Sequence, residues 1–278
     1  MGSFRRFARR LRHQPALEHA EWLWSALRGP YHSFLNLPGN GVSVLVGGVA
    51  GVRMPTEFIG GSWEDYEPES VAALTDWVRG HPEGVVLDIG CSIGIYSALA
   101  LFANPTVSVV AFDADIASIR AARRMTKNAS GDRLRCVFGF IAADATDHGS
   151  LSNAIETTSR LINSTEMGGT EMQYVCIGDP SAEDVPRRRL DDLFQTGFEG
   201  RSCLIKCDVE GAEQIVLSGA TKVLSQYHRE LLLSVHPPVL SDYGHSKETL
   251  RALLTDLGYG VNCVAVDHEE HWLCSCIA

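Results

Sequence analysis

Apolar residues fall into two alternating patterns along most of this chain. Near-continuous apolar runs begin at 85–87 and recur at 107–113, 134–141, 203–207 and 230–236, each with the length of a buried strand. Between them, residues 69–79, 92–102, 116–128, 212–224 and 247–257 space their apolar positions as one face of a helix does. Two last strands, 261–266 and 272–277, flank a short turn at 267–271. This alternation predicts an α/β, Rossmann-like fold whose mostly parallel sheet ends in one antiparallel edge formed by the closing pair. Near the start, 42–46 and 49–54 flank Gly47-Gly48 and predict a β-hairpin, and residues 1–30 predict a helix. The expected division is an extension over 1–55 followed by one domain over 56–278. Residues 144–190 break the rhythm. They are rich in Ser, Thr, Asn and Gly, with one β-like run at 173–177, and predict an insertion facing substrate rather than a helix of the main fold. The loop at 56–68, with Trp63 and Tyr66, is assigned to the same task.

The stretch 85–96, VVLDIGCSIGIY, sets the chemistry. A strand ends in Asp88, a turn with Gly90 and Gly94 flanks Cys91, Ser92 and Ile93, and a helix starts near Ser92. This is the nucleotide-binding half of a βαβ unit. Glycine lets the backbone turn sharply and come close to a ligand, and the helix start presents unpaired N–H groups to it. Three residues separate Gly90 from Gly94 and no lysine follows, unlike the dinucleotide and P-loop patterns. The spacing resembles motif I of class I S-adenosylmethionine (SAM) methyltransferases. SAM carries no phosphate, so an acid such as Asp88 is tolerable. Asp88, Gly90, Cys91, Ser92, Gly94 and Tyr96 are therefore cofactor candidates. Asp113, followed by Ala114, ends the next strand roughly 20 residues on and suits the two hydroxyls of an adenosine ribose, a feature that SAM and NAD sites share. Adenine is expected near Ala142.

A second acid-bearing turn follows at 203–213, CLIKCDVEGAE. Its Asp208 and Glu210, with His236 before Pro237, should converge at neighbouring strand ends, beside the strand-order reversal where ligands bind. Asp208 would position the amino-acid end of the cofactor or the acceptor. Methyl transfer to an alcohol rests on alignment and on a base to take the hydroxyl proton. His236 or Glu210 is the candidate, and imidazole has the apter ordinary pKa, about 6.5. Blander roles stand beside these: a strand-end histidine bonded to backbone, and Glu210 and Glu213 complementing a helix dipole. Asp208, Glu210 and His236 also form a set of hard ligands, but no metal is expected.

Composition narrows the partners. The 278 residues carry a net charge of −10, against a broad nucleic-acid surface. Arginines at 5, 6, 9, 10 and 12 crowd the N-terminus, where a basic aromatic face suits an anionic membrane surface, although an appended, packed helix is the simpler expectation. Arg187, Arg188 and Arg189 would either hold an anionic acceptor or sit in a solvated loop. Eight cysteines lie mostly in strand-like runs without CxxC pairs, which points to a reduced, cytoplasmic setting. No run reaches the ~18–20 apolar residues of a membrane span, and the N-terminus lacks the apolar core of a signal peptide.

IKCDVEGAEQIVLSGA (205–220), LDDLF (190–194), LLLSVHP (231–237) and LGY (257–259), following VVLDIGCSIGIYS, together resemble the FkbM family of SAM-dependent methyltransferases over roughly residues 42–278. The resemblance implies a seven-stranded Rossmann-like sheet and O-methylation of a hydroxyl on a sugar, lipid or secondary-metabolite acceptor. Three departures stand out. Cys91 and Ser92 replace the family's Ala-Asn, with Ser92 expected to keep a hydrogen-bonding helix cap. Asp113 stands for a Glu, and Ser234 replaces the Glu two residues before His236. A SAM-binding protein without catalysis is the non-enzyme alternative, and an NAD-linked oxidoreductase is disfavoured by the glycine spacing and the closing strand pair.

Overall fold

The computed structural model describes residues 41–48, 50–164, 175–178, 182–195, 198, 200–227 and 229–277. The helix expected over 1–30, with its arginines, lies outside the described residues. The chain opens with the antiparallel hairpin β1 (Val42–Val46) and β2 (Ala50–Met54), then α1 (Pro68–Gly80). The nucleotide-binding half follows as β3 (Val85–Ile89), α2 (Ile95–Ala103), β4 (Ser108–Asp113), α3 (Ile116–Thr126) and β5 (Leu134–Phe138). Short β6 (Phe140–Ile141), α4 (Leu151–Asn163), β7 (Arg187–Arg188) and α5 (Leu190–Leu193) connect it to the second half. That half comprises β8 (Cys203–Asp208), α6 (Glu213–Ser218), α7 (Thr221–Tyr227), β9 (Glu230–Val235), α8 (Pro237–Leu240), α9 (Lys247–Asp256), β10 (Tyr259–Val266) and β11 (Glu270–Cys276).

Seven strands form the central sheet in the order β10-β11-β9-β8-β3-β4-β5. β5, β4, β3, β8 and β9 pair in parallel, while β11 runs antiparallel to both β9 and β10. The antiparallel strand thus lies one place in from the edge, with β10 outermost. Every residue of β3 is buried, which explains its unbroken apolar run: a central parallel strand has helices on both faces. The two-residue strand period divides the core. Val86, Val109, Leu204 and Leu232 face the hairpin, α1 and α2, where Val46, Met54, Leu74 and Leu99 pack. Leu87, Val110, Ile205 and Leu233 face the opposite layer with Phe194, Leu217 and Trp272.

Three local expectations change. The run 134–141 is not one strand: the chain turns at Gly139, with φ +139°, and Phe140–Ile141 pairs in parallel with Arg187–Arg188. The stretch 144–190 is not wholly irregular, because α4 spans 13 residues of it and packs on β5. Its Ala154 and Thr158 are buried, and Thr158 Oγ1 accepts the Phe138 N–H at 2.8 Å. Its polar residues are a solvated helix face, which conceals a helix from a reading of apolar content. Most of the β-like run at 173–177 lies outside the described residues. The helix over 212–224 is broken at Gly219-Ala220 into α6 and α7.

Candidate active site

A cavity of about 530 Å³ opens at the C-terminal ends of β3, β4 and β8. It lies where the strand order reverses between β3 and β8, the place at which open α/β sheets take ligands. Its wall includes Gly90 and Ser92 after β3, Asp113 and Ala114 after β4, and Asp208 and Glu210 after β8. Glu67 and Glu269 complete the acidic side. Of the described non-glycine residues, four have φ in the left-handed region, and Glu67 (40°), Ser92 (48°) and Glu210 (52°) of these line the cavity. Such conformations are sterically unfavourable and gather at functional sites.

The turn after β3 is tightened by contact with the tip of β8. Gly90 has φ +76°, and a Cβ there would lie 1.8 Å from the Asp208 carbonyl oxygen. Gly94, at φ +79°, is the residue before α2 and meets Ala122 of α3 rather than the cavity. Ser92 does not cap the helix, which begins only at Ile95 and has no side-chain cap. Its N–H instead donates to Asp113 Oδ2 at 2.8 Å, tying the turn to the end of β4. Asp113 Oδ1 accepts the Asp115 N–H at 2.9 Å. Burial pushes the Asp113 carboxyl up to about 6, against the pull of these two N–H groups, with Asp115 and Asp88 adding to the rise.

Other sequence candidates stand behind the wall. Asp88 is buried, and its Oδ2 accepts the Ser97 N–H at 3.0 Å and hydroxyl at 2.5 Å, so it fixes the start of α2. Cys91 is buried, and burial raises its thiol well above the ordinary range. The Tyr96 hydroxyl donates to Glu67 Oε2 at 2.5 Å, and Ala142 is fully buried with its N–H on the Arg188 carbonyl at 2.8 Å. Near the expected adenine position it is Phe140 and Ile141 that border the cavity.

Asp208, Glu210 and His236 do come together. His236 Nε2 is 3.7 Å from Asp208 Oδ1, 3.3 Å from Glu210 Oε2 and 2.6 Å from Glu269 Oε2, while Nδ1 is 2.8 Å from Glu213 Oε1. Burial alone would lower the imidazole pKa, but the hydrogen bonds to Glu213 and Glu269 and the charge of Asp208 carry it up to about 10. His236 is therefore an imidazolium at neutral pH. With both nitrogens donating to carboxylates, it offers no lone pair to a hydroxyl proton in this arrangement. Glu213, 0% exposed, also accepts the Gly211 N–H at 2.9 Å, so it anchors this turn and not merely a helix dipole.

The sequence reading missed Lys206, Glu67, Glu269 and His271. Lys206 is buried on β8, its Nζ 2.7 Å from Ser234 Oγ, 3.2 Å from Asp208 Oδ2 and 4.6 Å from the centre of the Tyr96 ring. Burial would lower its pKa, but Asp208, Glu67 and Glu269 hold it above the usual lysine range. A lysine inside the apolar run LIKC was a readable signal, since a buried cation demands partners. Glu67, Glu269 and His271 belong to no motif. The three arginines at 187–189 are spent internally, on Asp144, Asp147 and Asp191 respectively, and none lines the cavity. Among the described residues no helix is long and apolar enough to cross a membrane.

The sequence profile of the Methyltransferase FkbM domain matches residues 88–261. No curated protein matches the chain. The chain is similar to several solved structures at low identity. A precorrin-6y C5,15-methyltransferase from Geobacter metallireducens GS-15 is 14% identical with a TM-score of 0.43, covering 81% of this chain and 95% of that one. Methyltransferase FkbM from Methylobacillus flagellatus KT is 15% identical with a TM-score of 0.44, over 74% of this chain and 52% of its own. A fibrillarin pre-rRNA processing protein from Methanococcus jannaschii is 10% identical with a TM-score of 0.40, over 76% of each chain.

Proposed function

The chain belongs to the FkbM methyltransferase family, and from that premise we propose that it methylates a hydroxyl oxygen of a neutral or amine-bearing polyol, with S-adenosylmethionine as donor. The observation that carries the proposal is that one cavity is bordered by Asp113 after β4 and by Asp208 and Glu210 after β8, which this reading assigns to the nucleoside and to the acceptor. The cavity's volume suits a small cofactor. Asp113 would hold the ribose hydroxyls with the lone pairs that the backbone leaves free, and Phe140 and Ile141 would face the adenine. When bound, SAM supplies a methyl group already activated on a sulfonium. Asp208, held by buried Lys206, would orient the amino-acid end.

Glu210 is the base in this reading. Its side chain is 47% exposed at the cavity, with His236 3.3 Å away to fix its carboxylate. His236 then acts as a positioning residue, a fixed cation among Glu213, Glu269 and Glu210. The acceptor class follows from charge. Among the described residues no lysine or arginine lines the cavity, whereas Glu67, Asp208, Glu210 and Glu269 do. A phosphate or polynucleotide would be repelled there, and an amine on a polyhydroxylated acceptor would be attracted.

The test is calorimetric titration with SAM and with NAD, followed by transfer of a labelled methyl group to a panel of sugars, aminosugars and their phosphates. Glu210→Gln should slow transfer about 100-fold with SAM affinity little changed. NAD binding without SAM binding, or a Glu210→Gln rate equal to that of the wild type, would refute the reading.

A further inference from the structure

The acidic side of the cavity holds more buried carboxylate than its hydrogen bonds account for. Glu67 is 7% exposed, Glu269 3% and His271 1%. Each offers a ligating atom, and the three atoms lie within 4.8 Å of one another. Nearby, the basic groups that face Glu67, Asp208, Glu210, Glu213 and Glu269 are Lys206, the imidazolium of His236 and His271, whose Nε2 lies 3.5 Å from Glu269 Oε1, while the Tyr96 hydroxyl donates to Glu67 and the Gly211 N–H to Glu213. Lys206 is already bonded to Asp208 and Ser234.

Two atoms of the trio have no hydrogen-bond partner: Glu269 Oε1 and His271 Nδ1. The other oxygen of Glu269 is taken by His236. His271 Nε2 lies 3.3 Å from Asp267 Oδ2 and 3.5 Å from Glu269 Oε1, so the tautomer that donates from Nε2 turns its Nδ1 lone pair toward Glu67 Oε2, 4.0 Å away. Two acceptors facing each other form no hydrogen bond. The separation is close to twice a metal–ligand bond of about 2.1 Å.

We propose that Glu67, Glu269 and His271 bind a divalent cation in the wall of the cavity. Two carboxylates and one imidazole suit a first-row ion such as Mn²⁺. A second trio, Asp208, His236 and Glu269, is as close-set, but both nitrogens of His236 already donate to carboxylates. Glu67 and Glu269 line the cavity, so an ion held by them would border the space left for the acceptor. A hydroxyl bound there would give up its proton more readily, with Glu210 receiving it. The ion thus supplies an activation that imidazolium His236 cannot. This inference rests on the methyl-transfer reading for its purpose but not for its test, and it departs from the sequence expectation of no metal.

Mn²⁺ is added to the full chain after EDTA treatment and dialysis, without SAM, and the electron paramagnetic resonance signal of free Mn²⁺ is followed. About one ion per chain should bind, saturably, well below about 1 mM. Glu269→Gln and His271→Gln should each weaken binding about tenfold or more, whereas Asp113→Asn, across the cavity, should leave it unchanged. Circular dichroism confirms that each variant folds. Glu67→Gln serves in place of any that does not. Absent saturable binding, or equal binding in the folded variants, overturns the site. So does expulsion of Mn²⁺ by saturating SAM, which would give the trio to the cofactor's ammonium. SAM binding without Mn²⁺ binding would defeat the ion site alone, and Mn²⁺ binding without SAM binding would defeat the cofactor reading alone.

Discussion

At the tip of β4, the carboxyl of Asp113 is pushed up to about 6 because burial weighs more than the N–H groups of Ser92 and Asp115, and Asp88 and Asp115 repel its charge further. A ribose needs the ionised form, which accepts at both oxygens. SAM affinity should therefore be steady above pH 7 and fall as pH drops through about 6, approaching tenfold weaker one unit below. Titration calorimetry at pH 5 and pH 7.5 checks this, and a pH-independent affinity would remove Asp113 from the ribose role. The fold pushes Asp113 and His236 both upward, to about 6 and about 10, with different results. Asp113 is a carboxylate close to protonation at neutral pH, and His236 is an imidazole that stays charged. Neither shift is visible from residue type, since each depends on which buried groups the fold brings alongside.

Elements were more legible than side-chain roles, and the reason is physical. β3 and β8 carry their burial in the sequence as apolar runs, and the turn at Gly90 shows its tightness because no other residue fits against the Asp208 carbonyl. α4 was legible in its spacing but not in its composition: Leu151, Ala154, Ile155, Thr158, Leu161 and Ile162 share one helix face, while the Ser, Thr and Asn residues of the segment lower its apolar content. Thr158 Oγ1 both accepts the Phe138 N–H and donates to the Ala154 carbonyl, each at 2.8 Å. Thr158→Val keeps the shape but strands a buried N–H, and should destabilise the protein by about 1–3 kcal/mol in urea unfolding. An unchanged midpoint would mean that α4 is not held to β5 through this bond. Ser92 shows the converse error. Its residue type suggested a helix cap, but the left-handed backbone at Ser92 and Gly94 delays the helix to Ile95 and gives the serine N–H to Asp113.

On the scale of the whole molecule, a chain with net charge −10 concentrates acid at the open end of its sheet. SAM is a cation overall, and its product S-adenosylhomocysteine is neutral. The protein's field should therefore draw the donor in and hold the product less firmly. Raising salt from about 0.05 to 0.5 M should weaken SAM binding severalfold and leave the product's affinity nearly constant. Equal salt dependence of the two would show that the field plays no part. The left-handed residues Glu67, Ser92 and Glu210 carry a different consequence, for how the protein can be altered. Glycine would be more comfortable at each, so a search for heat-tolerant variants will be drawn to the rim of the cavity. Ser92→Gly keeps the N–H that Asp113 needs and should raise the melting temperature by about 2 °C with activity retained. The same change at Glu210 should also gain stability while abolishing turnover. Heat tolerance and turnover, followed together across these three positions, would separate strain retained for chemistry from strain that is only inherited.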